Sequence, residues 1–316
     1  MTSEQPAPLL DLLATLDLEE LGSAQVSVQP QAEVGGVELP EIFAEDITLF
    51  RGQSQKMPHG RVFGGQVLAQ GVMASGRTVH PAANGAPRRI HSLHAYFMRP
   101  GDDTEPILFS VENMRDGRSF ATRRVHAIQH GKPILSMSAS FQTVDPGMDH
   151  QDVMPAVPAP DSLASLADAF RGIDHPGARH LAEDRAIDQR HVENNLYVAP
   201  GPERVAHQSV WMRATGQLPD DDLIHAAVLA YASDYSLLEP VLRRHGRTWR
   251  DPGLRVASLD HAMWFHRPAR ADEWILYAVE SPSAQGGRGL AIGRMFTADG
   301  VLAATVAQEG MLRVPE

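Results

Sequence analysis

One carboxylate stands in a strongly apolar stretch of the chain, LAYASDYSLLEPV, residues 229–241. It is Asp234, and helical spacing puts Leu223, Ala227 and Ala230 on the same face. Small neighbours of this kind permit close packing against a sheet, and an acid removed from water is costly unless it is hydrogen-bonded. Two interpretations therefore stay open. The carboxylate caps backbone amides or pairs with an arginine, or it acts as a general base that activates water.

A general base needs neutral hydroxyl or amide groups that hold a water molecule beside it. The segment VASLDHAMWF offers Ser258, and the last apolar segment of the chain offers Gln308. Strand alternation predicts that Ser258, Asp260 and Trp264 share one face. Asp260 and His261 are rival reactive groups beside Ser258, with hydrogen bonding inside a sheet as their alternative role.

The second chemical feature is a pair of glycines at a predicted helix start, in VFGGQ, with Gly64, Gly65 and Gln66. Backbone N–H groups at the positive end of a helix suit a carbonyl oxygen that gains negative charge. Tight packing where the helix enters a sheet explains the same glycines equally well. Other chemistries lack their motifs, because the chain has no G-x-S-x-G, no complete phosphate-binding glycine loop and no H-E-x-x-H.

The composition limits the class of protein. The chain has 316 residues, 43% of them hydrophobic and none of them cysteine, which excludes thiol chemistry and fits a reducing compartment. Residues 1–50 contain ten acids and no Lys or Arg, so the remaining 29 acids nearly balance 28 bases. We therefore expect no nucleic-acid partner, no membrane insertion and a cytoplasmic location.

An internal duplication organises the rest of the chain. YFMRP at 96–100 matches WFHRP at 264–268, an offset of 168 residues, and other matches lie at offsets of 166 to 170. Each half has one apolar helix, predicted at 62–79 and 220–242, followed by alternating strand segments. A further helix is predicted at 7–21. The predicted segments are an N-terminal helix with an acidic arm at 1–46, a first repeat at 47–150, a linker at 151–185 and a second repeat at 186–316.

A helix that is apolar all round must be enclosed. The simplest enclosure is an antiparallel sheet curled around it, which is the hot-dog fold of the α+β class. The duplication then predicts a double hot-dog, with residues 22–46 as a loop or ordered arm.

Seven motifs in order resemble the type II acyl-CoA thioesterases, the TesB-like double hot-dog hydrolases. They are LFRGQS, VFGGQV, YFMRPGD, RDGRSFATRRVHAIQHGKPI, YASDYSLL, LDHAMWFHRP and QEGMLR. The resemblance runs from about Leu49 to the C-terminus and implies hydrolysis of fatty acyl-CoA without metal or cofactor. It also implies that Asp234, Ser258 and Gln308 activate water together. The motif VLA pairs Asp234 with Met73 in the first repeat, so one catalytic centre per chain is expected.

Further expectations follow from this resemblance. Backbone amides near Gly64, Gly65 and Gln66 would stabilise the oxyanion. The basic residues near the glycine helix, Arg51, Lys56 and Arg61, would bind the CoA phosphates. Strand edges predict a homo-oligomer, a dimer or tetramer. Two alternatives remain: an acyl-CoA-binding or sensing protein without catalysis, and a hot-dog enoyl-CoA hydratase, which would need a histidine close to the acid.

Overall fold

A computed structural model describes residues 5–28, 43–170 and 182–314. The helices are α1 (Ala7–Leu16), α2 (Gly64–Arg77), α3 (Leu166–Ala169), α4 (Asp222–Ser233) and α5 (Glu239–Arg244). The strands of the first half are β1 (Glu19–Val28), β2 (Phe43–Gly52), β3 (Arg88–Phe97), β4 (Ile107–Asp116), β5 (Phe120–Gln129) and β6 (Lys132–Thr143). Those of the second half are β7 (Ile187–His191), β8 (His207–Ala214), β9 (Arg255–Ser258), β10 (Asp260–Phe265), β11 (Ile275–Gln285), β12 (Arg288–Thr297) and β13 (Leu302–Arg313).

All described strands join one antiparallel sheet, and its order shows the duplication. The order is β1-β2-β4-β5-β6-β3-β10-β13-β12-β11-β8-β7, with β9 paired to β13. The halves meet where β3 pairs with β10, and His94 stands opposite Ala262. These two residues are 168 positions apart, the same offset as between YFMRP and WFHRP. An approximate two-fold axis therefore passes through this pair, and each repeat lies on one side of it.

The core of the molecule is a pair of helices inside this sheet. In α2 every residue from Gly65 to Ser75 is buried, and in α4 every residue from His225 to Ser233 is buried. The two helices run antiparallel, because the start of α2 meets the end of α4 and Gly76 meets Leu223. The α+β double hot-dog prediction is confirmed. None of the helices in the described parts of the chain is long and apolar enough to span a lipid bilayer.

Three predicted elements need correction. The helix predicted at 220–242 is two helices, since α4 ends at Ser233 and α5 begins at Glu239. Pro240 accounts for the break, because proline fits the first turn of a helix but disrupts a helix interior.

The helix predicted at 7–21 ends at Leu16. Residues 19–28, assigned in part to a loop or arm, form β1 and pair with β2, while residues 29–42 lie outside the described residues. The four segment boundaries remain predictions.

The close contact between α2 and α4 depends on glycine. A Cβ atom added to Gly65 would lie 2.3 Å from the backbone oxygen of Tyr231, far inside van der Waals contact. We expect Gly65→Ala to force the helices apart and to lower the free energy of unfolding by about 1–3 kcal/mol. Urea denaturation measures this change. Gly147→Ala is the matched control, since nothing lies within 4 Å of a Cβ there; equal stabilities of the two variants would contradict the prediction.

Candidate active site

Asp234 is the residue that terminates α4. It is the C-cap of that helix, and its backbone is still in the helical region. A Cβ atom at Gly64 would lie 2.6 Å from Asp234 Oδ2, so the carboxylate sits directly against the first turn of α2. Part of the Asp234 residue stays accessible, but its carboxyl group is enclosed by protein. The acid is therefore placed where the two repeats meet.

Ser258 and Gln308 lie beside this carboxylate, as the sequence predicts. The Ser258 hydroxyl donates to Asp234 Oδ1 over 3.3 Å, and Gln308 Nε2 donates to Ser258 Oγ over 2.9 Å. The three side chains come from α4, β9 and β13, which are far apart in the chain. Whether they carry out the chemistry stays a prediction, although their hydrogen-bonded contact fits that role.

Burial dominates the electrostatics of Asp234. It raises the carboxyl pKa from 3.8 to about 6, against hydrogen bonds from Gln308, Ser258 and the Gly65 amide that lower it. Burial, with the charge of Asp234 as a smaller cause, raises the pKa of the neighbouring Tyr235 and Tyr277 phenols. Both are therefore neutral at pH 7. The arrangement yields a carboxylate that is ionised near neutral pH and has an unusually high proton affinity for an aspartate.

A β-bulge sets which way Ser258 points. Ser258 pairs with Gly310, and Ala262 pairs with Ala307. The path from Ser258 to Ala262 is four residues long, whereas the path from Gly310 to Ala307 on β13 is three, so β9–β10 carries one extra residue. The extra residue reverses the alternation of side chains. The prediction that Ser258 shares a face with Trp264 is therefore wrong. Ser258 turns inward to Asp234, whereas Trp264 is 37% exposed on the outer face.

Three further residues lie behind the candidate side chains: His261, which the bulge turns inward, and Ser233 and Tyr277, which no sequence pattern indicated. His261 is fully buried, with Nδ1 2.6 Å from Gln308 Oε1 and Nε2 2.9 Å from Ser233 Oγ. The Tyr277 hydroxyl donates to the Ser233 backbone oxygen and fixes the end of α4. The position of Ser233 directly before Asp234 is the one signal that could have drawn attention to it. The sequence marks His261 as a reactive group beside Ser258 but does not give the direction of its side chain, because the bulge decides it.

The three residues proposed for the oxyanion site differ in what they contact. The Gly65 amide hydrogen-bonds to the Asp234 carboxylate, and Gly64 lies against the same group. The Gln66 amide donates to the Phe63 backbone oxygen over 3.1 Å. The Gln66 side chain is fully buried and bonds to Gln70 Oε1. The first turn of α2 thus offers Gly64 and Gly65 to the site and uses Gln66 to hold the helix.

The basic residues proposed for the CoA phosphates are held unequally. Arg51 forms an ion pair with Glu19 across β1 and β2, at 2.5 Å. Lys56 donates to the backbone oxygen of Asp103 over 2.8 Å, and its ammonium group is largely exposed. Arg61 is exposed, two residues before the α2 N-cap, Phe63. Their role remains a prediction, and their positions favour Arg61 and Lys56 over Arg51.

The opposite end of the helix pair lacks the acid. There the end of α2 meets the start of α4, and counting from the two helix starts places Gly76, rather than Met73, at the position that corresponds to Asp234. A cavity of about 590 Å³ opens at this end, between α4 and the start of β3. The Asp221 side chain already accepts the Leu223 amide there, so the start of α4 is capped by a carboxylate of its own. The start of α2, by contrast, has no side-chain cap, so the two ends of the helix pair differ.

Comparisons with known proteins agree with this geometry. A profile of the family described as acyl-CoA thioesterase matches residues 181–311, and one described as the acyl-CoA thioesterase N-terminal domain matches 53–142. The chain belongs to the acyl-CoA thioesterase family. Acyl-coenzyme A thioesterase 8 of Homo sapiens is 42% identical over 280 residues, covering 85% of this chain and 86% of that protein.

A bacterial relative and a solved structure extend this result. Acyl-CoA thioesterase 2 of Haemophilus influenzae is 40% identical over 278 residues, covering 86% of this chain and 94% of that protein. The crystal structure of an acyl-CoA thioesterase II, TesB2, from Mycobacterium marinum has a TM-score of 0.72 and 41% identity. It covers 97% of this chain and 98% of that one. The resemblance to type II acyl-CoA thioesterases is therefore confirmed.

The raised pKa of Asp234 has a consequence for stability. The unfolded carboxyl ionises near pH 3.8 and the folded one near pH 6, so the folded wild-type protein loses stability as pH rises through this interval. The loss is up to about 3 kcal/mol at 1.36 kcal/mol per pH unit. Asp234→Asn carries no such group. We expect its stability relative to wild type to improve by that amount between pH 3 and pH 8.

Urea denaturation of both proteins across this range measures the difference, in which all other titrations cancel. Glu20→Gln, at an exposed position on β1, is the control and should show a constant difference from wild type. A constant difference for Asp234→Asn as well would show that the carboxyl group is not desolvated in the folded protein.

Proposed function

We propose that this protein hydrolyses fatty acyl-CoA thioesters to free fatty acid and CoA, with Asp234 as the general base. One observation carries the proposal: a desolvated carboxylate is held by Ser258, Gln308 and the first turn of a helix that glycine leaves open. Family membership supports the substrate class. The residues present are a base, a hydroxyl, an amide and backbone donors, which are the groups that attack by water on a thioester requires.

The reaction proceeds in two stages. A water molecule bound by Ser258 and Gln308 loses a proton to Asp234 as its oxygen attacks the thioester carbonyl carbon. The carbonyl oxygen becomes an oxyanion beside the Gly64 amide, since the Gly65 amide already donates to the Asp234 carboxylate. Collapse of this intermediate breaks the carbon–sulfur bond, and the proton on Asp234 passes to the departing CoA thiolate. The pKa of about 6 suits both transfers, since a base works best when its pKa lies near the operating pH.

The alternatives differ in what they require of the site. A hydratase needs an acid and a histidine that both face the substrate. His225 lies near the other end of α4 and accepts the Ala271 amide, and both nitrogens of His261 already have protein partners. Attack by Asp234 itself, through an anhydride, would place oxygen-18 from labelled water in the enzyme during a single turnover. Attack by water leaves the enzyme unlabelled.

Loss of the base provides the direct test. Incubation with acyl-CoAs of graded chain length measures turnover, with free thiol as the readout. If the protein released thiol from none of these substrates, the result would support the binding or sensing alternative. Asp234→Asn should lower kcat by at least about tenfold, because general-base catalysis contributes roughly 100- to 10,000-fold. Asp260→Asn is the matched control, since its side-chain oxygen can still accept the Glu309 amide and the residue is outside the proposed site. Near-normal kcat in a folded Asp234→Asn protein would remove this residue from the base role.

A homo-oligomer is the proposed assembly, and the outer face of the central strands is its proposed interface. Tyr96 on β3 is 65% exposed and Trp264 on β10 is 37% exposed, and they correspond across the two-fold axis through His94 and Ala262. A surface with internal two-fold symmetry can pair with a second copy of itself. The predicted cytoplasmic location is likewise retained as a proposal.

Charge on this face should prevent assembly. The double substitution Tyr96→Glu with Trp264→Glu places four like charges in a two-fold interface, so we expect the oligomer to dissociate to the next smaller species. Sedimentation or light scattering gives the mass. Val198→Glu, at another exposed apolar side chain, is the control and should keep the wild-type mass. An unchanged mass of the double variant would place the interface elsewhere.

A further inference from the structure

His261 is a buried titratable group that the proposed reaction does not use. Its imidazole is one hydrogen bond further from Ser258 than Gln308 is. Nδ1 is 2.6 Å from Gln308 Oε1, and Nε2 is 2.9 Å from Ser233 Oγ. A chain of hydrogen bonds therefore runs from Ser233 through His261, Gln308 and Ser258 to Asp234.

Donation along this series of hydrogen bonds can run in a direction that supplies hydrogens to the Asp234 carboxylate. Gln308 Oε1 only accepts, so an N–H on His261 Nδ1 donates to it. The Gln308 NH2 group then points to Ser258, whose hydroxyl hydrogen is left for Asp234. At the far end, the Ser233 hydroxyl turns from the Ala230 backbone oxygen, 2.8 Å away, and donates to the bare Nε2. In this arrangement each group donates its hydrogen to the next group on the path toward Asp234.

The opposite direction is also chemically complete. With the hydrogen on His261 Nε2, the histidine donates to Ser233, and the Ser233 hydroxyl donates to the Ala230 backbone oxygen, 2.8 Å away. Gln308 then turns its NH2 group to Nδ1 and its oxygen to Ser258. The Ser258 hydroxyl would donate to that oxygen, and Asp234 would lose both side-chain donors. The tautomer of a residue outside the reaction thus decides the hydrogen bonds at the base.

We propose that His261 is a positioning residue, and that its Nδ1–H holds the Gln308 amide with the NH2 group toward Ser258 and Asp234. The inference rests on the proposed function, because it explains how the water-binding pair is oriented. The ionised carboxylate of Asp234 favours this direction, since a negative charge attracts the Ser258 and Gln308 hydrogens. Burial lowers the pKa of His261 to about 4, so the ring is neutral and carries one N–H.

Two amide substitutions test the roles of the two ring nitrogens separately. In His261→Asn the amide nitrogen can take the place of Nδ1 and donate to Gln308. In His261→Gln the longer side chain places its amide near Nε2, toward Ser233. We expect His261→Gln to lower kcat about 10- to 100-fold with little change in KM, because a small misplacement of reacting groups has effects of this size. His261→Asn should stay within a few-fold of wild type.

The pH profile supplies a readout that a merely structural role would not move. Loss of the Ser258 and Gln308 donors leaves only the Gly65 amide to oppose the effect of burial on the Asp234 pKa, so the inflection of kcat in His261→Gln should move upward from near pH 6. In His261→Asn it should stay in place. His266→Asn is the control, because His266 also bonds a strand hydroxyl, Thr305 Oγ1 at 2.8 Å, away from the site.

A measurement on the wild-type protein covers the case in which the variants do not fold. Nitrogen-15 NMR of labelled histidine reports which ring nitrogen carries hydrogen, and Nδ1–H is expected for His261. Nε2–H, or an equal loss of kcat in His261→Asn and His261→Gln, would overturn the proposal. So would full activity in both while Asp234→Asn is inactive, an outcome that leaves the proposed function standing. Full activity of Asp234→Asn would overturn both.

Discussion

The contact between the first turn of α2 and the last turn of α4 is the constraint on which the site depends. Asp234 ends α4, where the helix dipole is negative and disfavours an acid. The positive end of α2 faces it and offsets that effect, with the Gly65 amide directed at the carboxylate. The approach is possible only because Gly64 and Gly65 lack side chains, which would otherwise meet Asp234 and Tyr231. Neither repeat contains this environment alone.

Duplication within one chain lets the two ends of the helix pair differ. Two identical subunits related by a two-fold axis would carry the same residues at both ends. Here one end has Asp234 against the Gly65 amide, while the other has Gly76 against a helix start that Asp221 caps. The carboxylates of Asp221 and Asp222 stabilise the start of α4, and Asp222 is paired with Arg89. The two ends of the helix pair therefore present different groups to their surroundings.

The sequence predicts the parts of the site that depend on residue type and order. Asp234, Ser258 and Gln308 stand out as polar groups in apolar segments, and the resemblance to type II acyl-CoA thioesterases implies that they act together. The direction of each side chain depends on pairing between distant strands, and one extra residue between β9 and β10 reverses it. Strand β1 was missed for a similar reason, since its ten residues are strand only because β2 is available to pair with them. The local sequence of a segment does not show which distant strand will pair with it.

The proton affinity of Asp234 is a balance that the polar network can shift. Burial raises the pKa, and three donors lower it, so the value of about 6 lies well above that of an exposed aspartate. Each donor depends on another group: Ser258 on the bulge, Gln308 on its amide orientation, and Gly65 on the close helix contact. A network of this kind is favourable only when every member is satisfied in the same direction. The reactivity of the carboxylate is therefore a property of the junction between the repeats, and it would change with any substitution that moves the helices or reverses the hydrogen bonds.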